Sequence, residues 1–290
     1  MQIAGFTIIK NALLNDYPVK EAILSVLPVV DKMYVFVGKS DDETLPYIQS
    51  FATEKIEIVE TVWDDSVRTG GTILAIETNK AFDYIPAQYT WAFYIQADEA
   101  VHEQYYPAIK AACETWKNDT NVQGLLFNYL HFYGTYNYVG DSRKWYHKEV
   151  RIIRNNKAIR SYKDAQGFRI NQQKLPVKPI DACIYHYGWV KTPQQMDRKL
   201  KQVTKYWNND NPEFVEWVNS ADNFDYSEFD SLAKFTGTHP QVYLPRIAAQ
   251  NLHLELDVNR KKMSLKNKFL YWFEKQTGLR LFDFKNYKIV

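Results

Sequence analysis

The sequence predicts an α/β protein: a mostly parallel central sheet with helices on both faces, followed by a mixed second half and a helical C-terminal extension. Three observations carry this prediction. Short apolar runs at residues 3–9, 32–37, 55–62 and 90–95 have the length and composition of buried strands. Segments with helical spacing lie between them. A parallel return needs a crossover, usually a helix, so regular alternation of this kind builds a parallel sheet.

Ile3-Ala-Gly-Phe-Thr-Ile-Ile9 is the first run. Asn15-Asp16-Tyr17-Pro18 then reads as a helix start, with Asn15 or Asp16 near the cap and Pro18 in the first turn. Val19, Ala22, Ile23, Val26 and Leu27 repeat at helical spacing. A strand at 32–37 is ended by Gly38, an amphipathic helix follows at 44–52, and a third strand covers 55–62. A helix at 74–82 leads to the fourth strand, which ends in Gln96-Ala97-Asp98-Glu99. Ligands of such sheets bind beyond the carboxyl ends of the strands. Lys10-Asn11, Gly38 to Asp42 and Gln96 to Glu99 are therefore expected on one rim. In the second half, 124–133 and 149–154 read as strands of a mixed sheet, with Trp145 and Tyr146 between them. Residues 180–185 form another short strand that leads into His186. A highly charged helix is expected over 193–207, broken at 208–212. After loops at Gly237-Thr-His-Pro240, a final amphipathic helix covers 264–277. No repeat or low-complexity linker divides the chain.

Of the 290 residues, 46% are hydrophobic and 24% charged, as in an ordinary globular protein. Aromatics reach 16%, with 21 Tyr. That surplus suits either a sugar-binding cleft, where a ring packs on the C–H face of a pyranose, or a Tyr-rich core. The net charge of +2 calls for no nucleic-acid partner. Residues 259–290 nevertheless carry nine Lys/Arg against Glu274 and Asp283, a local +7 that leaves −5 for the rest. A basic tail on a mildly acidic body points to an anionic partner for the tail. Cys113 and Cys183 have no metal or CxxC spacing and read as reduced structural thiols. No signal peptide is visible, and no stretch approaches the ~18 apolar residues of a membrane span, so a cytoplasmic location is expected.

Four pieces of the chain resemble bacterial family 2 glycosyltransferases of the GT-A, Rossmann-like fold. Ile9-Lys10-Asn11 is similar to the end of that family's first strand, with Ala12 where Glu is usual. Val37 to Thr44 stands where the family has its Asp-rich turn. Arg68-Thr-Gly-Gly71 through Asn79 resembles a Gly…Arg-Asn helix, and Tyr94-Ile-Gln-Ala-Asp-Glu99 resembles the Asp-Ala-Asp-Asp that closes the fourth strand. The resemblance implies a GT-A domain over 1–192, with a nucleotide-sugar-binding half (1–103) and an acceptor-binding half (104–192). The helical extension covers 193–290, with its basic amphipathic tail at 259–290.

The resemblance also implies the chemistry. A sugar moves from a nucleotide-sugar donor to an acceptor hydroxyl with inversion, assisted by Mn²⁺ or Mg²⁺ acting as a Lewis acid on the diphosphate. Asp98 is the expected metal ligand, Glu99 assists directly or through water, and His186 adds a second ligand. Gln96 replaces the family's first Asp and keeps a hydrogen bond for a ribose while losing its charge. Asn11, Asp42, Arg68 and Asn79 are the further donor-binding candidates, Arg68 because a guanidinium pairs with a diphosphate through two parallel bonds. The base that deprotonates the acceptor is expected at Asp164 or Glu149. The expected acceptor is a glycan or a lipid-linked glycan of surface polysaccharide or lipopolysaccharide synthesis. The final helix, with Leu265, Phe269, Trp272 and Phe273 among lysines, either lies on an anionic membrane surface or packs on the body. Two other readings compete. One is a degenerate GT-A domain that binds nucleotide or glycan without turnover, favoured by Gln96, Val37 and Gly38. The other is a sugar nucleotidyltransferase, disfavoured because Lys10 to Asn15 contains no glycine.

Overall fold

The structure, a computed structural model, describes residues 1–207, 212, 216, 218 and 224–290. Strands β1 (Ile3–Ile9), β2 (Lys32–Gly38), β3 (Ile56–Thr61) and β4 (Trp91–Tyr94) run parallel in the order β3-β2-β1-β4. Helices α1 (Val19–Val26), α2 (Thr44–Gln49) and α3 (Thr72–Tyr84) connect them. Alternation along β1 feeds two cores. Ile3 and Ile9 face a layer with Val19, Ile23 and Val26 of α1 and Ile48 of α2. Ala4 and Phe6 face Ala81 and Phe82 of α3. Both faces are thus covered, which is why these strands read as continuous apolar runs.

The sheet then changes direction. β8 (Lys148–Arg154) adds antiparallel to β4, β6 (Gly124–Tyr133) antiparallel to β8, and β11 (Gln173–Trp189) parallel to β6. The other edge of β11 takes β10 (Phe168–Ile170), β13 (Tyr287–Ile289) and β5 (Glu99–Val101) at successive positions. β9 (Ile159–Ser161) pairs with β10, β7 (Thr135–Gly140) with β6, and β12 (Leu232–Lys234) with β7. Helix α4 (Tyr106–Trp116) packs Ile109 and Cys113 against the first core, where the Trp91 indole donates to the Cys113 carbonyl at 3.0 Å. Helices α5 (Pro193–Val203), α6 (Leu244–Ala248) and α7 (Leu265–Thr277) complete the described elements.

Much of the aromatic surplus is core. Phe132, Tyr136, Tyr185, Tyr187 and Tyr243 form one cluster in the second half, and Tyr133, Tyr138, Tyr226 and Phe229 another. Cys113 and Cys183 are buried free thiols. No helix among the described residues is long and apolar enough to cross a membrane.

Several boundaries differ from the sequence expectation. The first helix begins at Val19, after Pro18, and not at Asn15 or Asp16. Asn11 and Asp16 hold left-handed backbone (φ 54° and 49°), and the Asn15 amide donates to the Asn11 carbonyl at 2.9 Å, so the chain turns before it coils. The strand expected at 180–185 is the later half of a 17-residue strand. The charged helix ends at Val203 and continues as a tighter single turn over Thr204–Tyr206. The break expected at 208–212 lies, apart from residue 212, outside the described residues.

Candidate active site

The carboxyl ends of β1, β3 and β4 open on one cleft, lined by Ile8 to Lys10, Trp63, Tyr94 and Gln96 to Asp98. Helix α5 roofs it. Thr192 caps that helix through a reciprocal box with Gln195, Pro193 opens its first turn, and its inner face brings in Lys199, Gln202 and Val203, continued by Tyr206. The cleft is open to solvent and holds a volume of about 200 Å³. Tyr17, Trp63, Tyr94 and Tyr206 form its aromatic wall, with the Trp63 and Tyr206 rings 6.0 Å apart and the Lys10 ammonium 5.7 Å from the Trp63 ring.

Among the described residues Asp98 is the single acidic side chain lining the cleft. Lys199 Nζ donates to its Oδ2 at 3.1 Å and to the Gly188 carbonyl at 2.9 Å. His186 Nε2 lies 3.7 Å from the same oxygen. Burial alone would raise the Asp98 carboxyl, but the Lys199 ammonium overcomes it and holds the group well below the usual carboxylate range. Burial also pushes the His186 imidazole below its ordinary value, against the pull of the Asp98 charge. Gly188 makes this approach geometrically open: a Cβ there would stand 2.6 Å from both Asp98 Oδ2 and His186 Nε2. Lys191, fully enclosed nearby, is pushed down to about 7 by burial and by the charge of Lys199.

Glu99 sits next in the chain yet belongs to the sheet interior. It is fully buried, and Arg151 Nε donates to its two oxygens at 3.0 and 2.9 Å. The Tyr129 hydroxyl donates to it as well, and the Gln96 amide closes the turn on it at 3.0 Å. The Gln96–Asp98 turn is thereby pinned to β8 and β6.

A second basin of about 200 Å³ adjoins the cleft and shares Lys10, Gln202 and Tyr206 with it. Asn11 and Arg68 line this basin. Asn11 ties two rim loops together, accepting from the Asp41 amide at 2.7 Å and donating to the Asp41 carboxylate at 3.1 Å. Arg68 Nε donates to the Asp65 carbonyl at 2.7 Å, while Lys10 pairs with the Asp65 carboxylate at 3.0 Å. Asp42 holds the Leu14 and Thr44 amides at 2.7 and 3.0 Å and borders a separate hollow beside Gly38 and Pro46.

Asn79 lines neither basin. It brackets Ser161 of β9, accepting from its amide at 2.8 Å and donating to its carbonyl at 3.1 Å. Asp164 stands on a loop whose Lys163 and Ala165 have left-handed φ of 54° and 60°, a costly conformation for residues with a Cβ. Ala165 lines the cleft. Asp164 packs against the Gly71 turn, one of its carboxylate oxygens is buried without a partner, and burial raises its proton affinity. Glu149 is buried behind the cleft, 3.9 Å from Arg151, and burial pushes it up to about 7.

The structure thus brings Asp98, Gln96 and His186 together, sets Asn11 and Arg68 in the adjoining basin, and puts Asp42, Asn79, Glu99 and Glu149 elsewhere. Sequence reading missed Tyr17, Trp63, Lys199, Gln202, Val203 and Tyr206. A signal for the last four existed: they recur at i, i+3, i+4 and i+7, one helix face.

The donor set does not suit a divalent cation well. Asp98 is already paired to an ammonium, Glu99 is committed to Arg151, and Gln96 brings no charge. Among the described residues no group of three or more His, Cys, Asp or Glu side chains converges as a metal site.

No family model matches the chain, and no curated protein matches it. Solved structures with similar backbones include Staphylococcus aureus TarS 1–349 in complex with UDP, at 12% identity and a TM-score of 0.41, covering 76% of this chain and 71% of that one. Against the longer TarS structure this chain spans 41% of the length. 4-Diphosphocytidyl-2C-methyl-D-erythritol synthase from Anaerococcus prevotii matches at 10% identity, a TM-score of 0.40 and coverages of 72% and 96%. Mycobacterium tuberculosis glucosyl-3-phosphoglycerate synthase with Mn²⁺ and UDP matches at 13% identity, a TM-score of 0.31 and coverages of 46% and 45%.

Proposed function

We propose that this chain is a glycosyltransferase that moves a sugar from a nucleotide-sugar donor to an acceptor hydroxyl. The observation that carries the reading is the cleft at the carboxyl ends of the parallel strands, where the cation Lys199 reaches from the α5 roof to Asp98 beside an aromatic wall. Trp63 and Tyr206 offer flat apolar faces for a base or a pyranose, and Lys10 and Arg68 offer donors for phosphates in a basin where Asp41, Asp64 and Asp65 balance their charge. In the transfer, the acceptor oxygen attacks the anomeric carbon and its proton passes to a carboxylate. The bond from that carbon to the phosphate oxygen breaks, and a nucleoside diphosphate leaves. Asp164 suits the role of base better than Glu149, because its loop borders the cleft and its buried oxygen is unpartnered. The test is calorimetric binding and nucleotide release with a panel of UDP-, GDP-, CMP- and dTDP-sugars. One donor should bind and turn over, and Asp98→Asn should abolish turnover.

The reading extends to location, a peripheral enzyme on an anionic membrane face that meets a lipid-linked acceptor. On α7, Leu270 packs inward, while Leu265 is 86% exposed, Phe269 58% and Trp272 56%. Leu279, Phe282 and Phe284 continue the exposed apolar surface, and Lys266, Lys268 and Lys275 flank it. That pairing of apolar and basic groups fits a bilayer with acidic headgroups. The chain should sediment with phosphatidylglycerol vesicles and not with phosphatidylcholine vesicles, and Phe269→Ser with Trp272→Ser should release it. Equal recovery with both lipids would refute the attachment.

A further inference from the structure

A departing nucleoside diphosphate gathers negative charge on its terminal phosphate, and a positive group must meet it. Three features bear on which group that is. Lys199 Nζ has three protons; among the described residues Asp98 and the Gly188 carbonyl take two, at 3.1 and 2.9 Å, and the third has only the Tyr17 ring, 5.2 Å away, in the cleft that Lys199 and Tyr17 both line. At Asp98 Oδ2 a metal would have to sit about 2.1 Å from the oxygen that Lys199 already holds, so there the ammonium and a metal compete, and only Oδ1 of this carboxylate is left to a cation. The remaining oxygen donors of the Gln96–Glu99 turn are weak or committed, since Gln96 is neutral and both Glu99 oxygens are engaged by Arg151.

We infer that Lys199, oriented by Asp98, takes the place of a divalent cation against the leaving diphosphate, so that this chain binds its nucleotide and transfers sugar without a metal. The inference rests on the proposed glycosyltransferase reading. Asp98 is then a positioning residue for Lys199. This assigns Asp98→Asn opposite effects on binding under the two accounts. With lysine as the cation, removing a carboxylate beside the anion site leaves diphosphate affinity in EDTA intact or tighter, while turnover falls. With a metal as the cation, Asp98→Asn destroys Mn²⁺-dependent binding.

The experiment is titration calorimetry of UDP, GDP, CDP and dTDP into the full chain in EDTA and in Mn²⁺. It is run for the wild type, Lys199→Met, Lys199→Arg and Asp98→Asn, each checked for folding by circular dichroism. One nucleotide should bind in EDTA with a Kd within about threefold of that in Mn²⁺. Lys199→Met should weaken it roughly ten- to a hundredfold, the effect of losing one charged hydrogen bond, and Lys199→Arg should restore most of the loss. The electron paramagnetic resonance signal of free Mn²⁺ should stay unchanged on adding protein and nucleotide. Binding that requires Mn²⁺, quenches that signal and ignores Lys199→Met would overturn the inference and leave the transferase reading standing. No binding of any nucleotide under either condition would overturn both.

Discussion

Replacing Arg151 by Met tests how the turn that carries Asp98 is held. Arg151 is 1% exposed and Glu99 is fully buried, so the variant leaves a carboxylate in the interior with its main cationic partner gone. The guanidinium's stacking on Tyr94 and Tyr129, at 5.7 and 5.5 Å, is lost as well. Removing one partner of a buried ion pair costs about 3–5 kcal/mol. With roughly 2.1 cal/mol/K of unfolding entropy per residue over 290 residues, that cost lowers Tm by about 5–8 °C. The assay is thermal unfolding of Arg151→Met, Glu99→Gln and the double variant, each followed by circular dichroism. Both single variants should be destabilised. The double variant should recover at least half of the Arg151→Met loss, because Gln at position 99 can still accept from Tyr129 and the Gln96 amide. A loss below about 1 kcal/mol for Arg151→Met, or a double variant no better than the single, would refute the claim that this pair pins the turn.

Two other perturbations follow from the same geometry. Burial raises the Glu149 carboxyl from 4.5 to about 7, so in the folded state it keeps its proton across a range where the unfolded chain has lost it. Its stability contribution is full below pH 4.5 and lost as pH rises to 7, so the wild type should lose up to about 3 kcal/mol relative to Glu149→Gln over that window, read from urea midpoints. A flat difference would contradict the burial argument. Gly188→Ala drives a methyl to 2.6 Å from Asp98 Oδ2 and His186 Nε2. It should cost about 1–3 kcal/mol of stability and depress turnover, whereas a fully active variant would show that the Asp98–His186 approach is not needed.

The parallel half of the fold was legible because its strands are buried on both faces, as β1 shows by feeding one core with Ile3 and Ile9 and another with Phe6. Helix α4 escaped notice because only Ile109 and Cys113 of its residues are buried, too few to mark a period. The full length of β11 was hidden because Lys174, Pro176, Lys178 and Asp181 interrupt its apolar pattern, and it is held by strands from four other parts of the chain. At the site, Asp98 was readable from its place after a strand. The commitment of Glu99 was not, because its partner Arg151 lies 52 residues away and only the fold joins them. The same holds for Lys199, 101 residues from the carboxylate it pairs with. The sequence pattern places Asn79 at the donor, but the bracket it forms on Ser161 depends on β9, a strand of three residues with little pattern of its own.

The most direct test of the central claim is incubation of the full chain with each nucleotide-sugar and, separately, with each nucleoside triphosphate plus a sugar phosphate, in EDTA and in Mn²⁺, while the released product is identified by mass. The account predicts that one donor yields its nucleoside phosphate and a transferred or hydrolysed sugar, and that Asp98→Asn abolishes this. Release of pyrophosphate from a nucleoside triphosphate and a sugar phosphate, with no cleavage of any nucleotide-sugar, would contradict it and make the chain a nucleotidyltransferase.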